Sequence, residues 1–230
     1  LELIAFERLA PGHRWWQWIQ NGGGLTDVCL RTDDLAADVA AFRRAGIKME
    51  DPSPLSRVRP DGYNLEWKLA IPEANGSGVI PFLIEDETPR EERVPRETFH
   101  ANHVIGIKGL VIAVENLNEI AQLYTQALNS SLGPVKLTDV AAAGRRFIAG
   151  SYTFEIVSPT DSRGALACWL KERGPSIYSI SLSSSQGERR SLDEHSALGA
   201  RIQIERRDRV DGPRMTADDR DCAPSLHSKS

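Results

Sequence analysis

The fold is decided by the stretch Val28-Cys29-Leu30-Arg31-Thr32-Asp33-Asp34-Leu35, an apolar strand that runs into acidic residues and then a helix. Any of the three residues Thr32, Asp33 and Asp34 can cap the helix that we expect from Leu35 to about Ala45. Gly46 is the residue type that ends such a helix. The stretch therefore predicts a strand, a cap, a helix and a stop.

The same order begins again at position 110, in Leu110-Val111-Ile112-Ala113-Val114-Glu115-Asn116-Leu117. Each helix is followed by segments typical of strands, so that one unit is predicted to have the order βαβββ. A third strand opening occurs at 177–182, before a predicted helix at 191–198 and a strand at 201–205. The segment 1–6 is predicted to be the last strand of an earlier unit. We therefore expect an α+β fold of paired βαβββ units whose first and last units are incomplete.

The predicted organisation has three parts. Residues 1–99 form a first half, with the end of unit one and all of unit two, and residues 100–205 form a second half, with unit three and the start of unit four. Residues 206–230 are crowded with Arg, Asp, Ser and Pro and are predicted to be a disordered tail, because they offer little apolar surface for burial. An asparagine-glycine turn is predicted at 75–78.

Composition limits the classes of partner. The 230 residues are 40% hydrophobic and carry a formal net charge of −4, with the two signs interspersed, so we expect no nucleic-acid partner. No apolar run is long enough to span a membrane. Three cysteines without CxxC spacing fit a reducing compartment, so the expected location is the cytoplasm. A small molecule is the expected partner, and a homodimer is considered as well.

Several short strings, taken together, resemble the glyoxalase-like domain family of the vicinal-oxygen-chelate superfamily. The strings occur in the family's order over about residues 1–132 and are Leu1-Glu2-Leu3-Ile4-Ala5-Phe6, His13-Arg14-Trp15, Gly22-Gly23-Gly24-Leu25, Leu30-Arg31-Thr32-Asp33-Asp34-Leu35, Arg59-Pro60-Asp61-Gly62 with Leu65 and Trp67, Pro81-Phe82-Leu83-Ile84, and His100-Ala101-Asn102. The resemblance implies that paired units curl their strands into cup-shaped mixed sheets. It further implies a divalent metal ion in the cup, held by His or Glu from the first and last strands of each unit.

The family's ligand positions are only partly filled by residues able to bind a metal. Glu2 stands at the last-strand position of unit one and is the candidate catalytic base and metal ligand, and Asp27 stands at the first-strand position of unit two. The last-strand position of unit two holds Phe82, which cannot ligate. In the second half Gly109 and Ser179 occupy the first-strand positions, and the remaining candidate is Glu155. The usual four-ligand set is therefore absent.

Four further residues are candidates for substrate binding. Trp15 could line a pocket with its neighbouring tryptophans. Arg57 and Arg59 flank a proline-rich loop that could close over the cup and bind a carboxylate or phosphate. His100 lies in the segment between the two halves.

Three functions are compatible with these observations. One is a metal-dependent lyase, isomerase or dioxygenase that acts on a small oxygenated organic molecule, with Glu2, Asp27 and a histidine upstream of Leu1 around the ion. Another is a metal-free protein that binds a small molecule in the same cup. The last is an oligomerisation or regulatory scaffold.

Overall fold

The computed structural model describes residues 1–73, 78–94, 99–128, 133–149 and 152–206. Its first part contains four strands and three helices, which are α1 (Trp16–Gln20), β1 (Cys29–Arg31), α2 (Leu35–Arg44), β2 (Ser53–Val58), β3 (Asn64–Ala70), β4 (Phe82–Asp86) and α3 (Arg90–Arg93). The strands form a sheet in the order β1-β4-β3-β2, in which β1 and β4 are parallel and the other neighbours are antiparallel. This is one complete βαβββ unit.

The second part begins with another unit of the same topology. Its elements are β5 (Val104–Ala113), α4 (Leu117–Leu128), β6 (Gly133–Leu137), β7 (Ala142–Ala149), β8 (Tyr152–Pro159), α5 (Ala165–Arg173), β9 (Ser176–Ser184), β10 (Arg190–Ser191) and β11 (Ile202–Arg206). The strands form one sheet in the order β10-β11-β9-β5-β8-β7-β6, with β5 parallel to β8 and β9 parallel to β11. The predicted α+β fold with mixed sheets is confirmed.

The start of α2 shows why the deciding stretch folds as it does. The carboxylate of Asp34 accepts a hydrogen bond of 2.9 Å from the backbone N–H of Ala37, which satisfies one of the free donors at the helix start. Leu35, Val39 and Phe42 then fall on one side of the helix and are buried. The capping residue and the spacing of the apolar residues therefore both favour a helix that begins at Leu35.

A single apolar core joins the two sheets. It contains Leu30 and Leu83 from the first sheet together with Ile112 and Ile156 from the second, and α2 packs against α4 beside it. The hydroxyl of Tyr124 in α4 also donates a hydrogen bond to the backbone carbonyl of Val79. This core covers one face of the second sheet.

The opposite face of the second sheet is only partly covered. Helix α5 packs Leu166, Trp169 and Leu170 against Val157 and Tyr178 of the strands and forms a second, smaller core at one end of this face. The other end stays open to solvent as a cavity. Helix α5 therefore leaves the rest of this face uncovered.

Two sequence predictions about local structure are wrong, and one helix was not predicted. The segment 1–6 forms no strand, and its first five residues are exposed without a neighbouring strand to bond. The segment predicted as a helix at 191–198 forms turns instead, and Leu198 has a φ of 54°. Residues 53–58 form the edge strand β2 in spite of Pro54, because proline is tolerated at an edge, where the N–H needs no partner. Helix α5 was not predicted, since Gly164 at its start supplies no capping side chain.

Two predictions fall outside the described residues. The predicted turn lies mostly in residues 74–77, and the predicted tail lies outside the described residues too, except for its first residue, Arg206, which belongs to β11 and is not disordered. Among the described helices, none combines the length and apolar composition that a bilayer crossing requires.

Candidate functional site

The open end of the second sheet forms a cavity of about 380 Å³. We call it the second-sheet cavity. The residues that line it come from β5, β6, β7, β8, β9 and β11 and from the segments next to β6 and β10. The charged side chains are those that form ion pairs (Lys108, Arg146, Glu155, Arg189 and Glu205) and an exposed carboxylate, Asp139. Hydroxyl and amide groups come from Thr153, Ser179, Ser181 and Gln203. One end of the cavity is apolar and is formed by Leu110, Val111, Leu137, Val140 and Tyr178.

Two β-bulges bring extra side chains into this cavity. In the pairing of β5 with β9, Ile107 faces Leu182 and Gly109 faces Ser181, so Lys108 has no partner residue in β9. Likewise Tyr178 has no partner residue in β5. A bulge re-aims its side chains, and both Lys108 and Tyr178 consequently line the cavity beside their neighbours Gly109 and Ser179.

One wall of the cavity holds a single ion pair. Glu155 in β8 lies directly opposite Arg146 in β7. Its carboxylate accepts hydrogen bonds from Nε of Arg146, at 2.8 Å, and from a terminal guanidinium nitrogen of the same side chain. The Glu155 side chain is 13% exposed. This carboxylate, a candidate ligand from the sequence, is therefore already bound by a cation.

The opposite wall holds one carboxylate between two cations. Glu205 in β11 receives the ammonium of Lys108 at 2.5 Å and lies 3.4 Å from Nε of Arg189. Arg189 also donates a 2.9 Å hydrogen bond to the side-chain oxygen of Gln203. Sequence reasoning missed Glu205 as a site residue. The alternation Ile202-Gln203-Ile204-Glu205 could have indicated that Gln203 and Glu205 share a face.

The family's first-strand positions in this cavity carry no metal ligand. Ser179 presents a hydroxyl, and Gly109 has no side chain because β8 approaches too closely: a Cβ atom there would lie 2.3 Å from the carbonyl oxygen of Thr153. Within the described ranges no cluster of three or more His, Cys, Asp or Glu residues could hold a metal ion. The donor set of the second-sheet cavity thus does not fit a metal ion.

The apolar end of the cavity is backed by a cluster of aromatic rings and guanidinium groups in cation–π contact, which we call the arginine–aromatic stack. The guanidinium of Arg201 lies 4.6 Å from the ring centre of Tyr178 and 4.9 Å from that of Trp169. The guanidinium of Arg173 lies 5.1 Å from the ring centre of Trp169 and 5.5 Å from that of Trp18. The stack therefore ties α1 and α5 to the wall of the cavity.

Asp27 lies outside this cavity in a site that anchors the N-terminal segment. Its side chain is only 4% exposed, and it pairs with a guanidinium nitrogen of Arg14 at 2.6 Å. It also accepts hydrogen bonds of 2.9 Å from Nε1 of Trp15 and from the backbone N–H of Val28. Burial raises the pKa of Asp27, and these three donors partly offset that rise. The structure thus brings together two predicted site residues, Trp15 and Asp27.

Replacing Asp27 with alanine is expected to lower the free energy of unfolding by about 3 kcal/mol, because it leaves the largely buried Arg14 without its carboxylate. Asp51→Ala is the matched control. Its carboxylate also pairs with an arginine, Arg43, but is 88% exposed, so we expect a loss below about 1 kcal/mol. Urea denaturation of both variants measures the difference. Equal small losses would show that Asp27 is not a structural anchor.

The other predicted site residues lie on separate elements. Glu2 is exposed. The hydrogen bond from Arg93 to Asp86 raises the pKa of Arg93, and the negative charge of Glu2 raises it further. Arg57 is exposed in β2, and His100 is exposed in the segment before β5. Among the described residues, no side-chain hydrogen bond or ion pair joins these three side chains to each other.

Arg59 forms its ion pairs with residues of the first part of the molecule. It forms ion pairs with Asp61 and with Glu92, the latter at 2.8 Å, and its guanidinium lies 4.9 Å from the ring centre of Tyr63. Glu92 belongs to α3, so Arg59 holds the turn after β2 against that helix.

The chain is similar to one known family and to solved structures. The sequence model of the glyoxalase-like domain family matches residues 1–128. A hypothetical protein from Staphylococcus aureus aligns over 83% of this chain and 70% of its own, with a TM-score of 0.59 and 16% identity. Methylmalonyl-CoA epimerase from Mycobacterium tuberculosis aligns over 49% of this chain and 95% of its own, with a TM-score of 0.43 and 17% identity. No curated protein matches the sequence.

Proposed function

Because the chain belongs to the glyoxalase-like domain family of the vicinal-oxygen-chelate superfamily, we propose that its second-sheet cavity binds a small organic molecule, without a metal ion. Small-molecule sites are concave and combine an apolar surface with a few placed polar groups. The second-sheet cavity has this composition at a volume of about 380 Å³.

One observation carries the proposal: the carboxylates of the cavity are bound by cations of the chain itself. Glu155 is held by Arg146, and Glu205 by Lys108 and Arg189. A metal ion would have to displace these partners and would still lack a first-strand ligand at Gly109 or Ser179. Binding through hydrogen bonds and charge needs no such rearrangement.

The remaining side chains of the cavity offer two kinds of contact to a ligand, polar and apolar. Ser179 and Ser181 lie on β9 at the centre of the sheet, and within the described chain their hydroxyls make no side-chain hydrogen bond. They can donate to or accept from a ligand. Val111 and Tyr178 offer the apolar surface against which the body of the ligand can pack.

The metal-dependent alternative places the ion near Glu2 and Asp27, with a lyase, isomerase or dioxygenase reaction. It has less support, since Asp27 would have to leave Arg14, Trp15 and the backbone of Val28, three groups that already use its carboxylate. An ion there would polarise adjacent oxygens of a substrate, but the present partners of Asp27 do not fit that role.

The proposal predicts ligand binding that a chelator does not change. A fragment library of small organic acids, amides, alcohols and amines, followed by ¹H–¹⁵N correlation spectra, should shift the amide signals of Gly109, Ser179 and Ser181. The same shifts should appear with EDTA present, and elemental analysis should find no stoichiometric divalent metal. Loss of binding on chelation would favour the metal-dependent alternative.

A matched pair of variants locates the binding. Ser181→Phe places a ring in the cavity and should abolish the shifts. Val58→Phe puts the same ring on β2 of the first sheet, at a residue that is 65% exposed and does not line the cavity, and it should bind as the wild type does. If both variants bind equally, the fragments occupy another surface.

A further inference from the structure

We infer that the ligand of the second-sheet cavity is an organic anion whose oxyanion group is bound between Lys108 and Arg189, with its apolar body directed to Tyr178. This inference rests on the proposed function and adds the class and the orientation of the ligand. The oxyanion is a carboxylate or a phosphate, which share the hydrogen-bonding chemistry that these two cations recognise.

The two walls differ in charge. On the β8 wall Glu155 and Arg146 balance each other, whereas on the β11 wall the single carboxylate of Glu205 faces two cations, Lys108 and Arg189. The β11 wall therefore keeps one positive charge in excess. An anion entering the cavity is attracted to that wall.

A carboxylate on the far side of the sheet adds to this polarity. Asp139 follows β6, the edge strand on the side of the sheet away from β11, and its exposed side chain lines the cavity there. Its negative charge repels an anion from the β6 side. The cavity is thus positive at β11 and negative at β6, which orients an anion in one direction only.

Arg189 can change partners at low cost. Its side chain is 64% exposed, and its Nε is 3.4 Å from Glu205, a long distance for an ion pair. Exposed pairs of this kind contribute less than about 1 kcal/mol. Lys108 remains to neutralise Glu205 when Arg189 turns toward a ligand, so the exchange leaves no carboxylate unpaired.

Neighbouring groups complete the oxyanion site. Ser181 in β9 and Gln203 in β11 are paired directly across the two strands, and both line the cavity next to Arg189. The Ser181 hydroxyl and the amide N–H of Gln203 can donate to oxyanion oxygens, while the guanidinium supplies two parallel donors. Val111 and Tyr178 lie beside them for the apolar part.

The experiment compares probes of one shape and different charge. Benzoate, phenyl phosphate, benzamide and benzylamine are titrated into the full chain at pH 7, and Kd is taken from the amide shifts of Ser179, Ser181 and Gln203. We expect benzoate or phenyl phosphate to bind about tenfold more tightly than benzamide, the effect of one charge-assisted hydrogen bond. The tighter of the two anions identifies the carboxylate or the phosphate class.

Variants assign the effect to Arg189. Arg189→Gln should weaken the anions about tenfold and leave the Kd of benzamide unchanged. The control is Arg190→Gln, an adjacent exposed arginine that does not line the cavity, and it should bind all probes as the wild type does. A loss of benzamide binding in Arg189→Gln equal to that of benzoate would indicate a structural role and overturn the inference.

The outcomes separate the two proposals. If benzamide or benzylamine binds in the cavity as tightly as the anions, the inference fails and the proposed function stands. If no probe shifts the cavity signals, and the fragment library also shifts none, the proposed function itself fails.

Discussion

Replacement of Gly144 by alanine is expected to lower the free energy of unfolding by about 3 kcal/mol, because the added methyl group has no room. Gly144 lies in β7 opposite Val157 of β8. A Cβ atom there would lie 1.9 Å from the backbone carbonyl oxygen of Ile156. The clash is with backbone, so the two strands would have to separate where Ile156 enters the shared core.

Gly106→Ala is the control for this prediction. Gly106 also lies in a strand of the second sheet, but a Cβ atom at this position has no neighbour within 4 Å. We expect its stability to stay within about 0.5 kcal/mol of the wild type. Guanidinium denaturation followed by far-UV circular dichroism measures both variants, and a loss for Gly144→Ala below 1 kcal/mol would contradict the packing of β7 on β8.

Replacement of Trp169 by alanine is expected to cost about 4 kcal/mol, since it empties the centre of the second core. Trp169 is 7% exposed, and the guanidinium groups of Arg173 and Arg201 lie 5.1 Å and 4.9 Å from its ring centre. Its Nε1–H donates a 2.9 Å hydrogen bond to the hydroxyl of Ser176. The substitution removes the ring contacts, both cation–π contacts and this hydrogen bond together.

Trp169→Phe separates these contributions. A phenyl ring keeps an aromatic face next to the two arginines but cannot donate to Ser176, so we expect a loss of about 2 kcal/mol. Thermal unfolding of the two variants gives the ranking. Equal losses in Trp169→Ala and Trp169→Phe would mean that the phenyl ring restores no stability. The arginine–aromatic stack would then add nothing beyond the hydrogen bond and the bulk of the indole ring.

Much of the fold could be predicted from local features of the sequence. The βαβββ order follows from apolar periodicity and from the cap at Asp34, which act over a few residues and are visible without knowing the rest of the chain. The segment 1–6 shows the limit of this reasoning. Its apolar residues resemble a strand, but a strand also needs a neighbour to bond, and pairing cannot be read from local pattern.

The candidate site was less accessible to prediction because it depends on pairing between distant strands. Lys108 enters the cavity through a bulge that exists only in the register of β5 with β9. Glu205 joins it because β11 pairs with β9. Arg189 and Arg146, which form ion pairs with Glu205 and Glu155, lie on two further segments. None of these contacts has a local signature in the sequence.

The core shared by the two sheets limits how this protein can be divided. Leu30 and Leu83 from one sheet and Ile112 and Ile156 from the other are buried against common neighbours, so removing either sheet would leave the other with a bare apolar face in water. The boundary between the repeated units is therefore not a boundary of folding. In evolution or in engineering, such a protein would be expected to exchange or duplicate whole pairs of units rather than single ones.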